Sequence, residues 1–238
     1  MDASESVLVG IRETLHDNLL DYFDDDFRKV DHPLIPSVTV SGAEHASELN
    51  EQYERKAILA EQALRDRDWS GYIQLHERPH RLDAFTYVVD ELDDQSYWEC
   101  LAEVWIDTEF PWQNQPRWSE YWNSKRPAKE FAMSPEEREV LKGLPHVFTI
   151  YRGVGKNGNS SGLSWTLSRE KAVFFAHRFR GDQLLTATAK RDDVHAYLNG
   201  RNEQEIVIES TAVQSRETIA ERVETGGQTI ASFLSGST

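Results

Sequence analysis

The chain changes character at Pro145, and that change limits what it can fold into. Beyond it, short apolar runs alternate with Gly, Asn and Ser turns: HVFTIYRG, GLSWTL, QLLTATAK, VHAYL and EQEIVIES. Runs this short, rich in β-branched and aromatic residues, read as strands. One helical stretch, SREKAVFFAHRF, interrupts them, with Ser168 as N-cap and Ala172, Phe175, Ala176 and Phe179 on one face. Upstream, the apolar spacing is helical. The pattern predicts an α+β protein: a mainly helical, Trp-rich region at 1–145, then a compact mixed α/β segment at 146–238.

In the first region, Val7, Ile11, Leu15, Leu19 and Tyr22, widened by Leu8 and Phe23, predict a helix over 5–23 capped by Ser4 or Ser6. It runs into Asp24-Asp25-Asp26, where negative charge meets a negative helix end. DHPLIPSVTVSG then reads as an extended connector. A charged helix over 42–66 has Leu49, Tyr53, Ala57, Ala60 and Leu64 as its inner stripe. Leu82, Phe85, Val89 and Leu92, then Tyr97, Leu101, Val104 and Trp105, predict helices at 80–93 and 95–107. Trp69, Trp98, Trp105, Trp112, Trp118 and Trp122 fall between 68 and 125, and core packing is the expected use of such side chains. Ser134-Pro135-Glu136-Glu137 starts a last helix that ends near Gly143. The tail beyond 225 reads as loosely held.

With 238 residues and 39% hydrophobic content, the chain can bury a real core. Twenty-six basic against 41 acidic residues leave −15, a balance that repels a nucleic-acid backbone and suits a cationic protein partner. Cys100 is the single cysteine, which excludes an intrachain disulfide and a multi-cysteine zinc site. Among aromatics in YWECLAEVW, it is expected in the core. The polar start MDASES predicts no export signal, and no apolar run approaches bilayer length. A cytoplasmic protein is expected.

Two motif matches fail on context. His76-Glu77-Arg78-Pro79-His80 fits H-E-x-x-H, but zinc binding needs both histidines on one continuous helix and Pro79 interrupts it. Gly153-x-Gly155-x-x-Gly158 fits a dinucleotide fingerprint. It is followed by loop composition and another strand rather than by a helix, although its backbone N–H groups could face a phosphate.

The remaining signal is an ordered set: Arg152 in VFTIYRG, Ser164 and Thr166 in GLSWTLS, Glu203 and Glu205 in NEQEIVIES. In that order, over about 146–210, the segment resembles the ADP-ribosyltransferases of the arginine–serine–Glu-x-Glu class. The helical half resembles phage-type proteins in which a Trp-rich region precedes such a segment, which would place the protein in a host cytoplasm. The resemblance implies NAD as co-substrate and transfer of ADP-ribose to a macromolecular acceptor, arginine being frequent in the family. It assigns Glu205 to the ribose and Glu203 to the acceptor, the latter provided the strand reaches back that far. Arg152, Gly153, Ser164, Trp165 and Thr166 would form the NAD site, Arg152 on the phosphates and Ser164 holding Glu205. Trp165 stands where the family has a small residue, and either stacks on nicotinamide or fills core. Tyr197 is the aromatic nearest the loop before the glutamates. No metal is called for. The rival expectation is an inactive acidic interaction or inhibitor protein that keeps the scaffold and binds a cationic partner.

Overall fold

The computed structural model describes residues 3–156, 158–178, 180–181 and 183–220; the predicted tail beyond 225 and the predicted helix residue Phe179 lie outside them. The fold is α+β, with two antiparallel sheets among the described residues. Two compact units form it. One comprises the residues up to Pro111 with Ser124–Ser134, the other Trp112–Asn123 with the residues from Pro135 onward. The segment around the last two tryptophans before 125 and the helix after Ser134 therefore belong with the strand-rich part, although both precede Pro145.

In the first unit the helix expected over 5–23 is two: α1 (Ala3–Thr14) and α2 (Asp17–Leu20). Asn50 explains the break. Its amide donates to the Thr14 carbonyl at 2.7 Å and its Oδ1 accepts from the His16 N–H at 2.8 Å, satisfying backbone groups on both sides. His16 then caps α2 through Nδ1, which accepts from Asn18 N. The inner residues Ile11, Leu15 and Leu19 are buried, whereas Val7 and Tyr22 are exposed. Of two short strands here, β2 (Lys29–Val30) lies just before the expected connector and β3 (Val38–Thr39) within it. With β1 (Phe23–Asp24) they form a sheet of order β1-β2-β3.

Asn50 lies on α3 (Ala43–Asp66), which buries Ala46, Leu49, Tyr53, Ala60 and Ala63; Ala57 and Leu64 are half-buried. After it come α4 (Trp69–Leu75), α5 (Arg81–Val88) and α6 (Asp94–Asp107). Asp68 and Asp93 cap α4 and α6 by accepting from Gly71 N and Ser96 N. Trp98 and Trp105 are 0% and 2% exposed, and the Trp98 indole donates to Pro127 O at 2.8 Å, so both serve as core. Cys100 is buried too, and burial pushes its thiol up to about 12, which leaves it unreactive. Among the described residues, no helix is long and apolar enough to cross a membrane.

In the second unit one antiparallel sheet has the order β7-β8-β5-β4-β6-β9. Its strands are β4 (Val147–Val154), β5 (Ser164–Thr166), β6 (Gln183–Lys190), β7 (Val194–Leu198), β8 (Glu205–Ile208) and β9 (Gln214–Ala220). The first five match the predicted runs; β9 (QSRETIA) has no apolar alternation and was not expected. Phe148, Ile150 and Val154 bury one face of β4, and their partners Ala189, Ala187 and Gln183 continue the register on β6. Helices α7 (Gln115–Trp122), α8 (Pro135–Gly143) and α9 (Arg169–Arg178) complete the unit. Trp118 and Trp122 on α7 are fully buried, while Trp112 before it is 47% exposed.

Gly153 is where α9 meets β4. A Cβ there would lie 1.9 Å from Ala172 O and 2.5 Å from Ala176 N, so only glycine permits this approach. Gly153→Ala should destabilise the protein by about 1–3 kcal/mol through overpacking. Gly10→Ala on α1, where a Cβ meets nothing within 4 Å, should stabilise it by about 0.5–1 kcal/mol. Urea unfolding of both variants checks the contrast.

A second expectation concerns acid. His32 is buried against Tyr22 and Tyr53, and Nδ1 accepts from Leu34 N. Burial, then the nearby His80 and His76, lower its pKa from 6.5 to about 4. Because the folded value is depressed, the unfolded chain takes up the proton first. Stability is intact above pH 6.5 and is lost as pH falls toward 4, by roughly 2–3 kcal/mol at pH 4.5. Denaturant titrations at pH 7.5 and 4.5 should show that loss diminished in His32→Asn; equal losses would contradict it.

Candidate functional site

Arg152, Ser164, Thr166 and Glu205 lie on three neighbouring strands, β4, β5 and β8. Thr166 pairs with Glu205 across β5–β8 and with Tyr151 across β4–β5. Directly paired residues share a face. Thr166, Glu205 and, by alternation, Ser164 therefore lie on one face. Arg152, one residue past Tyr151, starts on the other, with Phe148, Ile150 and Val154.

The long side chain of Arg152 partly offsets that parting. Only Tyr151↔Thr166 joins β4 to β5, and the strands separate beyond it. At this separation the Arg152 guanidinium donates to two main-chain carbonyls. Nη1 bonds Ser164 O, and Nε and Nη2 bond Asn159 O at 3.2 and 2.9 Å. Gly162 makes room, since a Cβ there would lie 2.3 Å from Nη2. Asn159 is fixed in turn by Gln115 on α7: its amide donates to Gln115 Oε1, and Gln115 Nε2 donates to Ser161 O at 2.8 Å. Burial lowers the Arg152 pKa to about 10, the Glu205 carboxylate opposes that shift, and the positive charge of Arg216 adds to it. The group remains cationic at neutral pH.

Glu205 opens β8 and is 6% exposed. Thr166 stands opposite it, rather than Ser164, whose cross-strand partner is Val207. The Ser164 group engaged here is its main-chain carbonyl. Thr166 is the local hinge pin: its hydroxyl donates to Glu203 O at 2.7 Å and accepts from Ser168 N at 3.0 Å. Ser168 caps α9 through Oγ, which accepts from Lys171 N. One threonine thus ties the end of β5, the start of α9 and the segment before β8.

Glu203 lies outside the strand. Gln204 has φ 50° and Asn202 φ 55°, so the extended geometry starts only at Glu205 and two-residue alternation does not carry back to Glu203. Asn199 supports this turn, its carbonyl accepting from Asn202 N and its side chain from Gln204 N. The Glu203 carboxylate pairs with Arg201 at 3.2 Å, both part-exposed, so the pair adds little to stability. Trp165 is 2% exposed and lies under the Arg216 guanidinium, 5.4 Å from the ring centroid. Its side chain is covered, as a core residue's is. Tyr197 is also buried, at 5%.

The two motif matches resolve on geometry. His76 ends α4 in extended backbone, and Pro79 lies in a 3-10 turn, Arg78–His80, that leads into α5; the two histidines share no helix. Glu77 pairs with Lys56 at 2.8 Å. Gly155 and Gly158 belong to the loop between β4 and β5, so no helix N-terminus follows the fingerprint. Among the described residues, no group of three or more His, Cys, Asp or Glu could hold a metal.

Sequence reasoning missed Asn159, Gly162, Gln115 and Arg216. Gly162, just before a strand, was the one with a readable signal, since a glycine there can mark a close approach. The others depend on contacts across 44 or more residues (Gln115–Asn159) or on an unrecognised strand. Comparison with protein-family models, curated proteins and solved structures found no match for this chain.

The Thr166 network is testable. Thr166→Val keeps the shape but leaves Glu203 O and Ser168 N without their partner, which should cost about 1–3 kcal/mol. Thr166→Ser should recover most of it. Equal stability of the valine variant and the parent in denaturant titration would show that the hydroxyl holds nothing.

Proposed function

We propose that the protein is a mono-ADP-ribosyltransferase that uses NAD, with Glu205 as its catalytic carboxylate. The observation that carries this reading is Glu205 itself: a buried carboxylate at the start of a strand, opposite a threonine and within the electrostatic reach of a desolvated arginine. Desolvated carboxylates cluster at functional sites.

Bound NAD supplies a glycosidic bond between nicotinamide and ribose. When that bond breaks, its electron pair leaves with nicotinamide and the anomeric carbon becomes positive. Glu205 would stabilise that charge and accept a hydrogen bond from the ribose 2′-hydroxyl. The acceptor's nucleophile would form the new bond to the same carbon, its proton passing to Glu203, whose carboxylate is part-exposed. Arg152 takes a narrower role than a free phosphate clamp. Three of its five donors hold the loop and β5, leaving two for a ligand. Its second contribution is a positive charge that attracts the Glu205 carboxylate.

The test is transfer of label from adenylate-labelled NAD to macromolecules in a cell lysate, with nicotinamide release measured alongside. Labelling is expected, with a loss of about 100-fold or more in Glu205→Gln. The variant's far-UV dichroism should match the parent's. Nicotinamide release without labelling would move the reading to a glycohydrolase on the same residues. Labelling that survives Glu205→Gln, or the absence of NAD cleavage, would contradict it; in the second case capture of a cationic partner would favour the acidic interaction protein.

A further inference from the structure

In a chain of net charge −15, two arginines engage adjacent residues of β5: Arg152 donates to Ser164 O, and Arg216 stacks on Trp165. Arg216 of β9 lies over the Trp165 ring at 5.4 Å, and one of its donors is spent on Ser210 O at 3.3 Å. Among the described residues the other four N–H groups have no hydrogen-bond acceptor. Neither Arg216 nor Arg152 forms an ion pair within 4.0 Å among the described residues, although acidic side chains outnumber basic ones by 41 to 26. The two cations sense each other, since Arg216 makes Arg152 harder to protonate. Trp165 adds a third donor: its Nε1 is buried with no hydrogen-bond partner among the described residues.

The Glu205 carboxylate is the negative charge that acts on Arg152. Like charges gathered beside unmet donors suit an anion that brings several acceptor oxygens. A planar guanidinium held flat on an indole is already oriented, so little side-chain freedom is lost when it binds phosphate oxygens in its fork. Stacking of this kind also pins a long exposed side chain that would otherwise be disordered in solvent.

We propose that Arg216, stacked on Trp165 beside Arg152, is the second cation of a diphosphate-binding site whose ligand lies between the two guanidinium groups. That the diphosphate belongs to NAD rests on the function proposed above; the site itself does not depend on it. Arg216 is a binding residue here, and Trp165 positions it.

Calorimetric titration of the full chain with ADP-ribose, inorganic pyrophosphate and adenosine tests the site. ADP-ribose and pyrophosphate should bind, with affinities that fall as salt rises, and adenosine should bind weakly or not at all. Arg216→Ala should weaken ADP-ribose by about 10-fold or more, and Arg216→Lys should weaken it less, since charge is kept while the fork is lost. Because Arg216 is exposed, the fold should survive the change. An ADP-ribose affinity within twofold of the parent in Arg216→Ala would overturn the proposal, as would tighter binding of adenosine than of ADP-ribose. The two claims separate cleanly. Pyrophosphate binding that needs Arg216 in a protein unable to cleave NAD sustains this site and sinks the transferase. NAD cleavage with an unchanged KM in Arg216→Ala does the reverse.

Discussion

The second unit depends on how Arg152 closes a gap between two strands. β4 and β5 are neighbours joined by a single residue pair, Tyr151↔Thr166. Beyond that pair the sheet's own hydrogen bonds stop, and the guanidinium of Arg152 takes their place on the carbonyls of Ser164 and Asn159. A lysine could not do this, having one point charge where two separate carbonyls need a planar fork. Gly162 leaves room for the head group, and Gln115 holds Asn159 from the other side. A buried cation so placed sets the field around Glu205, and the presence of Arg216 strengthens the positive side of it.

Much of this was legible in the sequence where local chemistry decides structure. The runs VFTIYRG, SWT, QLLTATAK, VHAYL and EIVI are strands because their β-branched and aromatic residues alternate between turn residues, and each forms where expected. The helix after Ser168 follows from its cap. What the sequence hid lies in distant contacts. The break between α1 and α2 is imposed by Asn50, 34 residues from His16, and overrides an uninterrupted apolar stripe. β9 forms from a polar segment because pairing with β6 satisfies its backbone, and propensity has no part in that. Helix α7 groups with a sheet whose strands begin more than 20 residues later, so a boundary drawn by change of composition at Pro145 could not assign it.

For the site, the sequence supplied the residue types and their order, and the register refined their roles. Glu205 is at a strand start with a hydroxyl-bearing residue opposite, but that residue is Thr166. Ser164 contributes a carbonyl. Glu203 is removed from the strand by the positive φ of Gln204, a turn that nothing in NEQEIVIES announces. Arg152 begins on the face opposite Glu205, yet its guanidinium, held at the start of β5, still interacts with that carboxylate. The negative surface charge, which argues against nucleic acid, makes the local concentration of Arg152 and Arg216 more informative, since it runs against the composition of the whole chain.

The most direct measurement is a crystal structure of Glu205→Gln soaked with NAD, the substitution being chosen to bind without turning over. The account predicts the nicotinamide ribose against residue 205, its 2′-hydroxyl within hydrogen-bond distance of the side chain, and the diphosphate between Arg152 and Arg216. NAD bound with its ribose away from residue 205, or no NAD at saturating concentration, would contradict it.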